Sequence, residues 1–273
     1  MRPEDARRKL PLTQPALLAL GLFSLLIGLF FLWQLRGDIS AFLYRPGADV
    51  SDLTVTFWPN IQYIKETWEE HQQIPLWRTL LFCGFPFDAD PQSGLWYPPN
   101  LVFAVLPTAV GFNLLFAAHI VWAGLGMWMW SRSTRTSMGG ALVAGSAYAF
   151  TPKTFAHLGF GHAGLVYAAA WVPWVLWAAS RTALGNRRHA GALAVSLGFQ
   201  LLVHPQLAFY TGLVAGVYSL GLAILSGHSR AGSDDSDSSV VSFPRLVRRL
   251  EPARTCVSAL TPCLRRLTWL PVG

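Results

Sequence analysis

The chain has 273 residues, 52% of them hydrophobic and only 13% charged, with a formal net charge of +7. A typical soluble domain carries about 25% charged residues, so this composition excludes an ordinary soluble fold. Apolar stretches of about 20 residues recur along it, the length a helix needs to cross hydrocarbon, whereas a closed barrel would show short alternating segments. The expectation is an all-α polytopic membrane protein.

The N-terminal residues 1–14 carry Arg2, Arg7, Arg8 and Lys9 ahead of the first apolar run, 15–35. Signal peptides also begin with basic residues, but the core LLIGLFFLW is too long and bulky for one, and no small-x-small cleavage site follows. It reads as a retained anchor. Further spans are expected over 109–130, 138–155, 164–180, 190–203 and 206–225, making six; the fifth is short and ends at His204-Pro205. Lys and Arg near span ends set orientation. They gather at the N-terminus, at Arg132 and Arg135, at Arg181, Arg187 and Arg188, and from Arg230 onward. Basic residues thus alternate with the spans, which places both termini in the cytoplasm and the protein in the inner membrane. The charge of +7 is mostly topology and needs no nucleic acid.

Between the first two spans lies the stretch 36–100, far longer than the 2–8 residues that usually join helices. It holds eight of the fourteen acids, from Asp38 to Asp90, while 91–233 contains none. Phe57, Ile61, Ile64 and Trp68 recur at spacings of four, three and four, with polar residues between them and Pro59 suited to a first turn. This predicts an amphipathic helix, either lying in the membrane interface or packed on the spans. Pro75-Leu76-Trp77, Cys83-Gly84, Pro86-Phe87 and Tyr97-Pro98-Pro99 then predict a fixed, packed loop. On this topology the acidic loop, the segment 151–162 and the turn His204-Pro205-Gln206 share the extracytoplasmic side. A site, if present, faces outward.

The domain layout is therefore a cytoplasmic N-terminus (1–14), a transmembrane domain (15–226) and a cytoplasmic basic tail (227–273). Within the tail, 233–239 (SDDSDSS) reads as a disordered linker, and 245–266 is arginine-rich enough to lie on anionic lipid. Cys83 is expected outside and Cys256 and Cys263 inside, so no disulfide joins the two groups within one monomer.

An ordered set of loop motifs runs from Asp52 followed by Phe57-Trp58-Pro59 through Pro75-Leu76-Trp77, Gly84 and Pro86, and Asp90-Pro91-Gln92-Ser93 to Tyr97-Pro98. Asn113, His119, Gly124-Leu125-Gly126-Met127, His157, His162, Trp171-x-Pro-Trp174 and His204-Pro205-Gln206 follow it. On these residues the chain resembles the YfhO-like integral membrane proteins of bacteria, which belong with the GT-C class of glycosyltransferases. The likeness covers about residues 15 to 226. It implies transfer of a sugar from a polyprenyl-phosphate carrier to an acceptor at the outer face. The chain also lacks a Gly-rich phosphate loop beside a strand, which disfavours a nucleotide-sugar donor. Members of the group are usually several times longer, so a fragment or truncated form is expected.

Each candidate residue has a plainer alternative. Asp52 suits a general base on the acceptor hydroxyl, or else a helix N-cap or solvated loop acid. Asp88 and Asp90 form a D-x-D whose hard oxygens suit substrate or a divalent cation, or are simply loop acids; no other cofactor is expected. Gln92 belongs to the same run and is counted with the substrate-binding residues. Lys153, His157 and His162 match a lipid phosphate, or anchor at headgroups. His204 and Gln206 line the same cavity if Pro205 breaks the helix there, as broken helices do where backbone lines a cavity. His119 sits mid-span, where a buried hydrogen bond to a neighbouring helix is the better reading than function. Gly212-x-x-x-Gly216 permits close helix packing, a weak signal in a Gly-rich chain. Two other classes remain open: a non-catalytic membrane scaffold or degenerate fragment, and, less favoured, a transporter subunit, which would place more ionisable groups along its spans.

Overall fold

The computed structural model describes residues 14–41, 50–79 and 81–231. The basic N-terminus, Asp49, the linker 233–239, the arginine-rich segment 245–266, Cys256 and Cys263 lie outside these residues. Among the described residues eight α-helices follow one another: α1 (Gln14–Gln34), α2 (Trp58–His71), α3 (Thr108–Ser133), α4 (Met138–Ala149), α5 (Pro152–Gly159), α6 (Ala163–Ala183), α7 (Ala190–Val203) and α8 (Pro205–Ala231). Among the described residues, four helices are long and apolar enough to cross a membrane: α1, α3, α6 and α8. Helices α4 and α7 match expected spans in position but have only 12 and 14 residues, short of the roughly 20 that cross hydrocarbon unaided.

One expected span is split. The run 138–155 becomes α4 and α5, because Pro152 cannot continue a helix from the preceding turn and holds Thr151 extended, at φ −61° and ψ 134°. α8, by contrast, continues to Ala231, past the expected boundary at 226.

α3 and α6 form the centre of the bundle. α1 and α4 pack on α3, while α7 and α8 pack on α6. Small residues allow the closest approach: a Cβ on Gly145 of α4 would lie 2.8 Å from the Gly124 carbonyl oxygen of α3 and 2.6 Å from the Phe23 ring of α1. Close backbone contact of this kind is how helices gain packing energy where lipid removes the hydrophobic drive. The Gly212 and Gly216 pair on α8 does not work this way, since a Cβ at either would meet nothing within 4 Å. α1 and α8 instead expose large apolar side chains such as Leu18, Leu32, Leu213 and Val217, as lipid-facing helices do.

The long loop is packed against the bundle. α2 follows a wide helical turn, Leu53–Phe57, and buries Ile61 to 4% exposure beside Phe103 and Phe112. Phe57 and Ile64 pack on the same cluster, whereas Trp68, the fourth member of the predicted stripe, is exposed. Beyond α2, a two-residue antiparallel ribbon pairs β1 (Trp77–Arg78) with β2 (Phe85–Pro86), a small strand element that the all-α expectation did not contain. Two 3-10 turns, Pro91–Ser93 and Pro98–Ala104, lead into α3. Side-chain bonds tie this loop down: Asn60 donates to the Gln92 carbonyl at 3.0 Å and accepts from Arg78 at 2.7 Å. The Tyr63 hydroxyl donates to the Trp77 carbonyl at 2.9 Å, and the Arg78 guanidinium lies 4.9 Å from the Tyr63 ring centre.

Candidate functional site

The turn between α5 and α6 builds the site. Phe160 ends α5, Gly161 takes a left-handed conformation at φ +73°, and two crossed hydrogen bonds close the turn. The His162 amide donates to the His157 carbonyl at 3.0 Å, and the Gly161 amide donates to the Leu158 carbonyl at 3.0 Å. This is the Schellman arrangement, which brings the side chains at its first and last positions together. Normally that contact is apolar. Here the two positions are His157 and His162, and their Nδ1 atoms lie 2.9 Å apart.

On its other edge, His162 faces the start of the α2 region. Ser51 and Thr54 form a tight hydroxyl–backbone turn, with Thr54 Oγ1 donating to the Ser51 carbonyl at 3.0 Å. Asp52 occupies the cap position of the turn Leu53–Phe57 but makes no capping hydrogen bond. Its carboxylate instead pairs with His162, Oδ2 to Nε2, at 3.4 Å, with side-chain exposures of 53% for Asp52 and 35% for His162. The result is a chain from Asp52 to His162 to His157, open to solvent at its acidic end.

A direct Nδ1–Nδ1 contact needs one donor and one acceptor, so a single proton lies between the two rings. Desolvation, followed by the charges of His162 and Lys153, holds His157 below the ordinary histidine value.

His157 and Lys153 also line a groove of about 700 Å³. Its remaining walls are mostly apolar: Met127 of α3, Ala144 and Ala147 of α4, Leu165, Val166, Ala169 and Val172 of α6, and Leu207 of α8. From Leu165 to Val172 the groove follows α6 for about 10 Å, at 1.5 Å per residue. It is cationic at one end and hydrocarbon-like along its length.

The other candidates lie elsewhere. Asp90 caps the 3-10 turn after it, accepting from the Gln92 amide at 2.8 Å. Asp88 and Asp90 share a smaller pocket with Trp96, Leu201 and Leu202. Gln92 is exposed, and its carbonyl is taken by Asn60. Among the described residues no group of three or more His, Cys, Asp or Glu is placed to hold a metal ion. His204 caps α8, its Nδ1 accepting from the Leu207 amide at 3.2 Å, and Gln206 is exposed beside Tyr210. Neither lines the groove that holds Lys153 and His157.

His119 is buried and hydrogen-bonded, though its partner is the loop residue Tyr97 rather than a neighbouring helix. The Leu115 carbonyl lies 2.6 Å from Nδ1 and can only accept, so Nδ1 carries the proton and Nε2 accepts from the Tyr97 hydroxyl. Trp171 in turn donates to the Tyr97 oxygen at 3.0 Å. Burial pushes the Tyr97 phenol well above its ordinary value, which keeps it a donor. Trp174 donates to the Trp122 carbonyl at 3.0 Å, so both tryptophans of the Trp171-x-Pro-Trp174 motif hydrogen-bond within the bundle. Sequence reasoning did not single out Gly161 or the Asn60–Arg78 bond. The signal for Gly161 was a glycine directly before a histidine at the end of a short helical segment.

Compared with protein-family profiles, curated proteins and solved structures, the chain matches none.

Proposed function

We propose that this chain is a membrane glycosyltransferase-like protein that transfers a sugar from a polyprenyl-phosphate donor to an acceptor at the extracytoplasmic face. The supporting observation is that Lys153 and His157 line one end of an apolar groove and that His157 is joined through His162 to the exposed carboxylate of Asp52. A polyprenyl-phosphate sugar has this same division into an anionic phosphodiester head and a hydrocarbon tail. In this reading Lys153 and His157 receive the phosphate and the groove holds the first isoprene units. Asp52 takes the proton from the acceptor hydroxyl as its oxygen bonds the anomeric carbon and the bond from that carbon to the phosphate breaks. The likeness to YfhO-like proteins points the same way, with Asp52 in the position of the base. Both termini are then cytoplasmic, and α4 and α7 complete the bundle as short spans.

The test is sugar transfer by the full chain in lipid nanodiscs with a polyprenyl-phosphate sugar. Asp52→Asn keeps size and hydrogen bonding but cannot accept a proton, so turnover is expected to fall by roughly 10²–10⁴-fold with the fold intact. Undiminished turnover would remove Asp52 from the chemistry. No turnover by the unmodified chain would favour a non-catalytic membrane scaffold.

A further inference from the structure

Transfer from a phosphodiester leaves two proton problems at opposite ends of one site. The acceptor hydroxyl must lose a proton, and the departing phosphate monoester gains a second negative charge that a proton would neutralise. Here the two ends are joined. Asp52 faces His162 Nε2, His162 Nδ1 meets His157 Nδ1 at 2.9 Å, and His157 lines the groove at its cationic end beside Lys153. His162 thus has one ring nitrogen on each of its two neighbours, the geometry of a relay. No protein group among the described residues hydrogen-bonds His157 Nε2. The Schellman turn at Gly161 fixes the two rings against each other, and Leu53 and Ser51 press on that turn from the Asp52 side.

We propose that Asp52, His162 and His157 form a proton relay that carries the acceptor's proton to the leaving phosphate. The proposal rests on the glycosyl-transfer reading above and extends it. The acceptor O–H bond breaks as its oxygen bonds the anomeric carbon, and the electron pair of the carbon–phosphate oxygen bond leaves with the phosphate. The proton passes to Asp52 and then to His162 Nε2. A proton leaves His162 Nδ1 for His157 Nδ1, and one leaves His157 Nε2 for the departing phosphate oxygen. No charge accumulates on either ring, and no other reactant is needed. Loss of the His162 Nε2 proton to water, return of a proton from His157 Nδ1 to His162 Nδ1 and uptake of one from water at His157 Nε2 restore the starting tautomers. Asp52 and His157 are the catalytic residues at the two ends, and His162 acts between them. Among the described residues, the charged groups that act on the two histidines are Asp52, from the turn before α2, and Lys153, on α5.

The test compares unmodified chain, Asp52→Asn, His157→Gln and His162→Gln in nanodiscs with polyprenyl-phosphate sugar, recording kcat, donor KM and pH profile. Glutamine keeps a hydrogen bond but cannot pass a proton. The relay predicts that both histidine variants melt within a few degrees of the unmodified chain. It also predicts that kcat falls by about 10²-fold or more with donor KM nearly unchanged, that the acidic limb of the profile is lost, and that added imidazole partly restores turnover. If either variant is too unstable to assay, its asparagine counterpart takes its place under the same criteria. A loss expressed in KM alone overturns the relay in favour of plain phosphate binding. Full activity in His157→Gln with a dead Asp52→Asn overturns the relay and leaves the glycosyl-transfer reading standing. An active Asp52→Asn overturns the relay and the base assignment while sugar transfer itself stands, and no turnover by the unmodified chain overturns both.

Discussion

A Cβ atom on Gly161 would lie 2.6 Å from the Cβ of Leu53, and 2.7 Å from its amide nitrogen. The α5–α6 turn and the start of the α2 region therefore meet with no room for a side chain, and this contact sets His162 opposite Asp52. Gly161→Ala is penalised twice. A left-handed conformation costs a non-glycine residue about 1–2 kcal/mol, and the new methyl group must displace backbone. The expected outcome is loss of the Asp52–His162 pairing together with a melting temperature lowered by several degrees, read by thermal unfolding in nanodiscs. Gly159→Ala is the control, because a Cβ there meets nothing within 4 Å.

The packing of α2 on the bundle gives a second expected outcome. Ile61 is buried in the core cluster, Ile64 packs on its edge, and Gln62 is only partly covered. Burying an isoleucine contributes roughly 1.5–3 kcal/mol, and a carboxylate in its place would be unpaired. Ile61→Asp and Ile64→Asp should expose the loop to protease at concentrations that leave Gln62→Asp intact. Equal cleavage of all three would contradict the packing.

Much of this architecture was legible in the sequence because hydrophobic length and periodicity are local signals. The apolar runs became helices, and the Phe57–Ile61–Ile64 stripe found the core. The break at Pro152 is just as local, but the apolar pattern carries through 138–155 and masks it. The site divided along the same line. Asp52, Lys153, His157 and His162 were each visible as residue types out of place in an apolar chain, but their meeting depends on a capping turn and on a glycine with no room beside it. His204 and Asp90 serve as caps, and a side chain that satisfies backbone amides has the same composition as one that binds a ligand, so the sequence does not tell the two apart. Trp68 kept the helical period yet lies past the point where the bundle covers α2, which spacing alone does not reveal.

The two histidines also make a pH prediction. His157 is held below its ordinary value by desolvation first, then by His162 and Lys153. The folded state therefore binds this proton less readily than the unfolded chain does. Its contribution to stability is present above the unfolded histidine value of about 6.5 and is lost as pH falls through the lowered folded value. The melting temperature should fall on acidification below about 6.5, and His157→Gln should show a shallower fall over that range. The difference between the two curves is the quantity to measure, since it isolates one group from the others that titrate nearby. Parallel curves would place the histidine pair outside the proton balance of folding.

The groove supplies the last prediction, which separates the tail of a lipid donor from its head. Ala147 lines the groove from α4 and is exposed, so Ala147→Trp should fill that space without displacing core packing. Each methylene removed from apolar contact costs about 0.8 kcal/mol, so excluding two raises a dissociation constant by more than about tenfold. Donor KM should therefore rise by at least that factor for a long-chain polyprenyl-phosphate sugar and remain unchanged for a short, water-soluble prenyl analogue. Lys153→Ala should weaken both donors alike, because each presents the same phosphate. If Ala147→Trp instead leaves the long-chain KM unaltered in nanodiscs, the hydrocarbon tail lies along another face of α6, and the groove has no part in donor binding.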